Sequence, residues 1–266
     1  MKWSLVAVAL SALVIAGGIE AQPRPPSPIP RERAQLEAAL AQIAAGHPLR
    51  GVRRPATDGT LDLSGLREPM RVLSARIPDW DEAMALGAAS ENHVHPVGEH
   101  ELRAFLFFRG TRYARSLAPD RLYTASLTVL LHDMGKLGSP RDAHGRQRSD
   151  WNHPVRSAWY FQRNGDRLGL SHAERDWAAR MVRAHEGIGL LDMCDQQRFA
   201  ADHPLRREQE RSLRDAVREA SDVWFLEAMA ESDVWAIDAW LYDRWRTATQ
   251  LPGLAARLAA RWPAAP

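Results

Sequence analysis

The sequence predicts an all-α protein: a compact multi-helix bundle preceded by an N-terminal apolar segment and a proline-rich spacer. Three observations carry that prediction. From Asp79 onward, apolar residues recur at helical spacing almost throughout. No stretch between residues 79 and 262 alternates apolar and polar residues with period two over a useful length, so no half-buried strand is predicted. Ser171-His172-Ala173-Glu174 has the form of a capping box, which opens a helix running through Trp177, Met181 and His185.

Taken in order, residues 1–21 read as a signal peptide or a membrane anchor. Lys2 precedes an apolar core, Leu5 to Ala16, that is short for a bilayer span and of the right length for a signal peptide. Cleavage after Ala21 predicts an exported, periplasmic protein. Retention predicts a membrane-anchored one held through residues 3–19, and flanking charge does not choose between the two. Residues 22–75 begin with a proline-rich extended spacer, QPRPPSPIPR. A short helix follows, with Leu36, Ala39, Leu40 and Ile43 on one face and Gly46 as its stop, and the segment ends in an irregular stretch. Residues 76–250 form the main helical domain, and residues 251–266 a C-terminal helix or tail. Within the domain, one long helical segment is predicted from about Arg207 to Arg246, carrying Trp224, Trp235, Trp240 and Trp245. The tetrapeptide SDVW occurs there twice, eleven residues apart, a separation of about three helical turns.

The composition excludes several classes. Of 266 residues, 45% are hydrophobic and 26% charged, which is globular rather than disordered. The net charge of +2 arises from interspersed signs, so a nucleic-acid partner has no support from the charge pattern. A single cysteine, Cys194, excludes an intrachain disulfide, and its apolar context predicts inert packing. The basic residues are almost all arginine: Lys2 and Lys136 are the two lysines of the chain.

Lys136 closes the stretch LLHDMGK, in which an apolar helical run ends on His132 and Asp133 side by side. Adjacent residues on a helix face different ways. At a helix terminus, however, both can reach one polar centre, with Gly135 allowing the chain to turn away. Imidazole and carboxylate are standard ligands for divalent metals, and a carboxylate can bridge two ions. Capping of helix ends by the same two residues is the alternative. Of the ten histidines, His100, His153 and His185 also lie in helical contexts with apolar neighbours, which favours convergent ligands. His93 and His95 either line the same pocket or form a polar turn before a helix, and His144 falls where a pocket rim is expected. His47, His172 and His203 read as surface residues.

These residues resemble the HD-domain superfamily of metal-dependent phosphohydrolases over roughly residues 90–245. His100 opens HELRAFLFFRGTRYARSL, as the family's first ligand helix does, and TASLTVLLHDMGK is similar to the family's central motif with its lysine. HPVRS has the shape of the third element of the two-metal branch, and AHEG resembles the fourth, with Ala184 where a histidine is often found. For the closing aspartate, FLEAMAESDVWAID resembles the final ligand helix and nominates Asp233 over Asp222, which is then expected on a helix surface.

The resemblance implies that His100, His132, Asp133 and Asp233 hold one divalent ion, and that Asp133 bridges to a second held by His153 and His185. The metals of such sites are Mn, Fe, Ni, Co or Mg. It further implies hydrolysis of a small phosphorylated, nucleotide-like substrate by a metal-bridged hydroxide, with Asp133 and Lys136 catalytic. Lys136, Arg103, Arg156 and Arg183 are then the candidate phosphate contacts. Two other readings share the ligand set: an HD-fold di-iron oxygenase, and a membrane-tethered module that binds metal or ligand without turnover.

Overall fold

The computed structural model describes residues 31–46, 61, 63–86, 95–141, 143, 150–198, 200–237 and 247–260. The N-terminal apolar run, the proline-rich stretch, His47, His93, His144, Trp240 and Trp245 lie outside the described residues. The described chain is helical. In order it comprises α1 (Arg31–Gly46), a 3-10 turn (Ser64–Leu66), α2 (Arg67–Arg76), α3 (Trp80–Ala85), α4 (Val97–Arg109), α5 (Arg112–Ser116) and α6 (Pro119–Leu130). A second 3-10 turn (Met134–Gly138) then leads to α7 (His153–Asn164), α8 (His172–Arg183), α9 (His185–Gln196), α10 (Pro204–Ala216), α11 (Ala220–Ile237) and α12 (Leu251–Ala259). No described helix is long and apolar enough to cross a membrane.

The face foreseen for α1 is the one that is buried, and Leu36, Ala39, Leu40 and Ile43 join the same apolar core as α4, α6 and α11. Arg33 fastens that helix to the body. Its guanidinium pairs with Glu174 at 2.9 Å and Glu37 at 3.0 Å, and lies 4.7 Å from the centroid of the Tyr123 ring. Glu174 also completes the capping box of α8 with Ser171 and accepts from the Thr124 hydroxyl, so one carboxylate ties three helices together. Gly169 adopts φ +66, and a Cβ there would lie 2.5 Å from that of Arg33, so both the left-handed backbone and the close approach require glycine. Residues 64–76, expected to be irregular, instead form the first 3-10 turn and α2. Pro69 sits in the first turn of α2, where its missing N–H forfeits no helical bond, and Leu73 reaches the core.

The long helical segment expected from Arg207 is two helices, α10 and α11, separated at Val217–Glu219. Asp222 explains the break. Its Oδ2 accepts the backbone N–H groups of Arg218 at 2.8 Å and Glu219 at 3.4 Å, gathering donors at the start of α11. The Trp177 indole donates to its Oδ1 at 2.7 Å, and Arg180 stands 3.7 Å away. Asp222 is therefore not the surface residue the sequence implied but a buried one, 1% exposed. The two SDVW copies serve different ends: the first aspartate organises a helix start, and the second enters the site described below.

Removing the Asp222 carboxylate strands a half-buried indole N–H and two backbone donors. Asp222→Ala is expected to lower unfolding stability by about 2–4 kcal/mol, given the usual cost of orphaned donors and charge-assisted bonds. Urea denaturation measures this. Metal content per folded chain should be unchanged.

Candidate metal centre

Five separate elements deliver the predicted ligands to one place. α6 ends at Leu130, and the chain turns through Leu131, His132 and Asp133 before the second 3-10 turn. His100 comes from α4, His153 from the first position of α7, His185 from the first position of α9, and Asp233 from α11. The turn is pressed against α7 at Gly135. A Cβ there would lie 2.2 Å from the His153 carbonyl oxygen and 2.6 Å from the Ser157 nitrogen. Glycine is required for that close approach, with no left-handed φ involved. The Gly135 N–H donates to the Ser157 hydroxyl at 2.8 Å, and Arg156 Nε donates to the Gly135 carbonyl at 2.8 Å.

Two sets of ligand atoms result. In the first, His100, His132, Asp133 and Asp233 each offer an atom within 4.8 Å of the others, and in the second so do Asp133, His153 and His185. In the first set, Asp233 Oδ1 lies 2.9 Å from His100 Nε2 and 3.4 Å from His132 Nε2. Asp133 Oδ2 lies 3.5 Å and 3.6 Å from the same two nitrogens. In the second set, Asp133 Oδ1 lies 3.1 Å from His153 Nε2 and 3.8 Å from His185 Nε2, and the two nitrogens are 3.4 Å apart. Ligand bonds of ~2.1 Å put neighbouring ligand atoms ~3.0 Å apart in an octahedron and ~3.4 Å apart in a tetrahedron. The observed spacings cluster around those edges, and Asp133 gives one oxygen to each set.

The spacings fit a cation better than a hydrogen-bond network. Charge-assisted contacts between imidazole and carboxylate would close to about 2.7–2.9 Å, whereas most of these are longer. His132 Nε2 and Asp133 Oδ1 are buried without a well-formed hydrogen bond. Three of the rings are also oriented from behind. Nδ1 of His132, His153 and His185 bonds to the carbonyl of Val129, Asp150 and Val182 at 2.8, 2.7 and 2.7 Å. A carbonyl only accepts, so each Nδ1 carries the hydrogen and each Nε2 faces the centre, as a metal-ligating ring requires.

Electrostatics agree with this. Burial disfavours the charge on Asp133, but Lys136, His132 and His153 outweigh it and hold the carboxyl well below its usual range. Burial likewise opposes charge on Asp233, and the adjacent imidazoles of His100 and His132 hold it low. Burial would lower His132, yet Asp133 and Asp233 raise it to about 9. His185, buried beside His132 and His153, falls to about 3 and stays neutral. Without metal, a proton on His132 therefore balances part of the carboxylate charge.

The other nominated residues are distributed as follows. Lys136 contacts the Asp133 carboxylate directly and is 13% exposed, at the edge of the site. Arg103 is buried and pairs with Glu99, to which His95 is also paired at 3.2 Å. Arg156 is engaged by Gly135, Ser139 and Asp150, where it braces the turn. Arg183 is exposed and makes no ion pair with a ligand residue. His172 lies at the surface as expected, and His203 is half-buried. Two carboxylates were not foreseen. Glu101 is fully buried and accepts the Asp133 backbone N–H at 2.9 Å. Glu186, 31% exposed, places Oε1 3.7 Å from His153 Nε2. The available signal was their position: each directly follows a ligand histidine in sequence.

No family model matches the chain, and no curated protein is significantly similar to it. The donor geometry shows two groups of residues that could hold metal ions, and any activity assigned to them rests also on the motif resemblance.

Two ions per chain are expected on elemental analysis after loading with excess divalent metal, falling to one in the His153→Ala/His185→Ala double variant. Because the ion at the first set must displace the His132 proton, affinity there should rise with pH up to about 9 and level off above it. Competition titrations at pH 7 and pH 9 should differ by roughly fiftyfold.

Proposed function

We propose that the chain is an HD-domain metal-dependent phosphohydrolase, acting on a phosphate mono- or diester that is small and nucleotide-like. The observation that carries this reading is Asp133, whose two oxygens are divided between two ligand sets while Lys136 contacts the same carboxylate. Divalent ions held by His100, His132, Asp133 and Asp233 and by Asp133, His153 and His185 would supply Lewis-acid polarisation of a phosphoryl oxygen and an acidified water as nucleophile.

The chain's own residues do the rest. Asp133 fixes the separation of the two sets, and the imidazoles are held in register by the carbonyls behind them. The Lys136 ammonium stands at the edge of the site as a compact positive charge for a non-bridging phosphoryl oxygen. Burial opposes its charge, but Asp133 and Asp233 more than restore it and keep the group protonated. Arg156 binds protein oxygens and serves as a brace, and of the four nominated cations Lys136 is the one in contact with the shared carboxylate, which favours it as the phosphate contact. The N-terminal apolar run places the substrate outside the cytoplasm if the chain is exported.

The test is a panel of phosphate mono- and diesters assayed with Mn, Fe, Ni, Co or Mg. Asp133→Ala should lose turnover completely. Lys136→Arg and Lys136→Ala should both retain fold and metal and lose turnover by about a hundredfold, the usual cost of one electrostatic stabiliser. Dioxygen consumption by the iron-loaded protein, with no ester cleaved under any metal, would replace this reading by an oxygenase.

A further inference from the structure

We propose that Glu101 is the positioning residue that sets the bridging geometry of Asp133. This inference rests on the two-ion reading of the site.

Glu101 follows His100 on α4 but points about 100° further round the helix, away from the ligand edge. It is 0% exposed. A carboxyl buried this far from water costs several kcal/mol unless it is well bonded, and buried polar groups are as a rule fully satisfied. Glu101 is not. Its Oε1 accepts the Asp133 N–H at 2.9 Å, and its Oε2 is buried without a hydrogen bond. So the protein keeps a costly acidic group here for a bond to one peptide.

That peptide is the sensitive one. The N–H groups of Leu131 and Met134 find backbone acceptors, at Leu127 and Leu131, whereas that of Asp133 reaches across to a side chain of another helix. On the far side, the Asp133 carbonyl accepts from Lys136 N–H at 2.8 Å, so the residue is gripped at both of its backbone polar groups. Its carboxylate must place Oδ2 in one set and Oδ1 in the other, with edges of 3.1 to 3.8 Å. A shift of about 1 Å in the peptide is enough to withdraw one oxygen from its set. The helix that supplies the first histidine thus also fixes how the bridging aspartate faces.

Three variants of the full chain, titrated with Mn(II) alone, test this. Glu101→Gln keeps an acceptor oxygen at the same reach, Glu101→Asp keeps the carboxyl but falls short by one methylene, and Glu101→Met removes the acceptor. Binding of each ion is measured by titration, and bridging by the exchange-coupled electron paramagnetic resonance signal of a manganese pair. The glutamine variant should bind two ions with a coupled signal. The aspartate and methionine variants should keep the ion held by His100, His132 and Asp233, bind the second at least tenfold more weakly, and lose the coupled signal. Wild-type affinities and coupling in the aspartate variant would overturn the proposal even if the methionine variant fails to fold. Equal weakening of both ions, tracking thermal stability, would overturn it too by making the role merely structural. Wild-type protein that binds fewer than two ions would instead overturn the two-ion reading on which the proposal depends.

Discussion

The centre of this molecule depends on one side chain facing two ways. Asp133 presents Oδ2 to the imidazoles of His100 and His132 and Oδ1 to those of His153 and His185. Such a division works only if the backbone beneath it cannot rotate. The chain therefore ends α6 at Leu130, presses Gly135 onto α7 where no other residue fits, and grips the turn with Ser157 and Arg156. The packing of α7 against the turn is thus a condition of the site's chemistry as well as of stability.

How much of this was legible in the sequence follows from the nature of each signal. The histidines and Asp133 were legible as candidate ligands because polar residues stand out on otherwise apolar helical faces, and the structure gathers them into two groups that could hold a metal. Asp233 was nominated over an identical tetrapeptide by its surroundings, and it does lie 2.9 Å from His100 Nε2. Asp222 was misread as a surface residue, because its role arises from a break between α10 and α11 that helical periodicity does not register. Glu101 was missed for a different reason. On a helical wheel it is one more acidic residue, and its importance comes from a backbone N–H thirty-two positions away. Arg156 shows the opposite error. A cation on a ligand helix reads as a phosphate contact until its donors are counted against Gly135, Ser139 and Asp150.

Lysine and arginine divide the work here along physical lines. Where a planar fork with several donors is wanted, the chain uses arginine: Arg33 joins α1 to α8, and Arg156 joins the metal turn to α7. Both tasks need directional bonds to several oxygens at once. At position 136 the requirement differs, since the cation must sit beside a ligand carboxylate without displacing it from two crowded sets. An ammonium fits that space as a point charge. The single lysine among the described residues falls beside that carboxylate.

The same economy governs the rings. A helix leaves its last carbonyls without intrahelical partners, and these ordinarily face water or a cap. Val129 lies in the last turn of α6 and Val182 in the last turn of α8, and each carbonyl accepts the Nδ1–H of the histidine three residues on. Asp150 does the same for His153 from the turn before α7. An atom that a helix end would leave unsatisfied is thereby used to fix a tautomer and aim Nε2 inward. Because the device is local, with a fixed spacing of three, it orients these three rings without a side chain from another helix. Tertiary packing brings these oriented rings together around Asp133, with His132, His153 and His185 all supplied from helix ends.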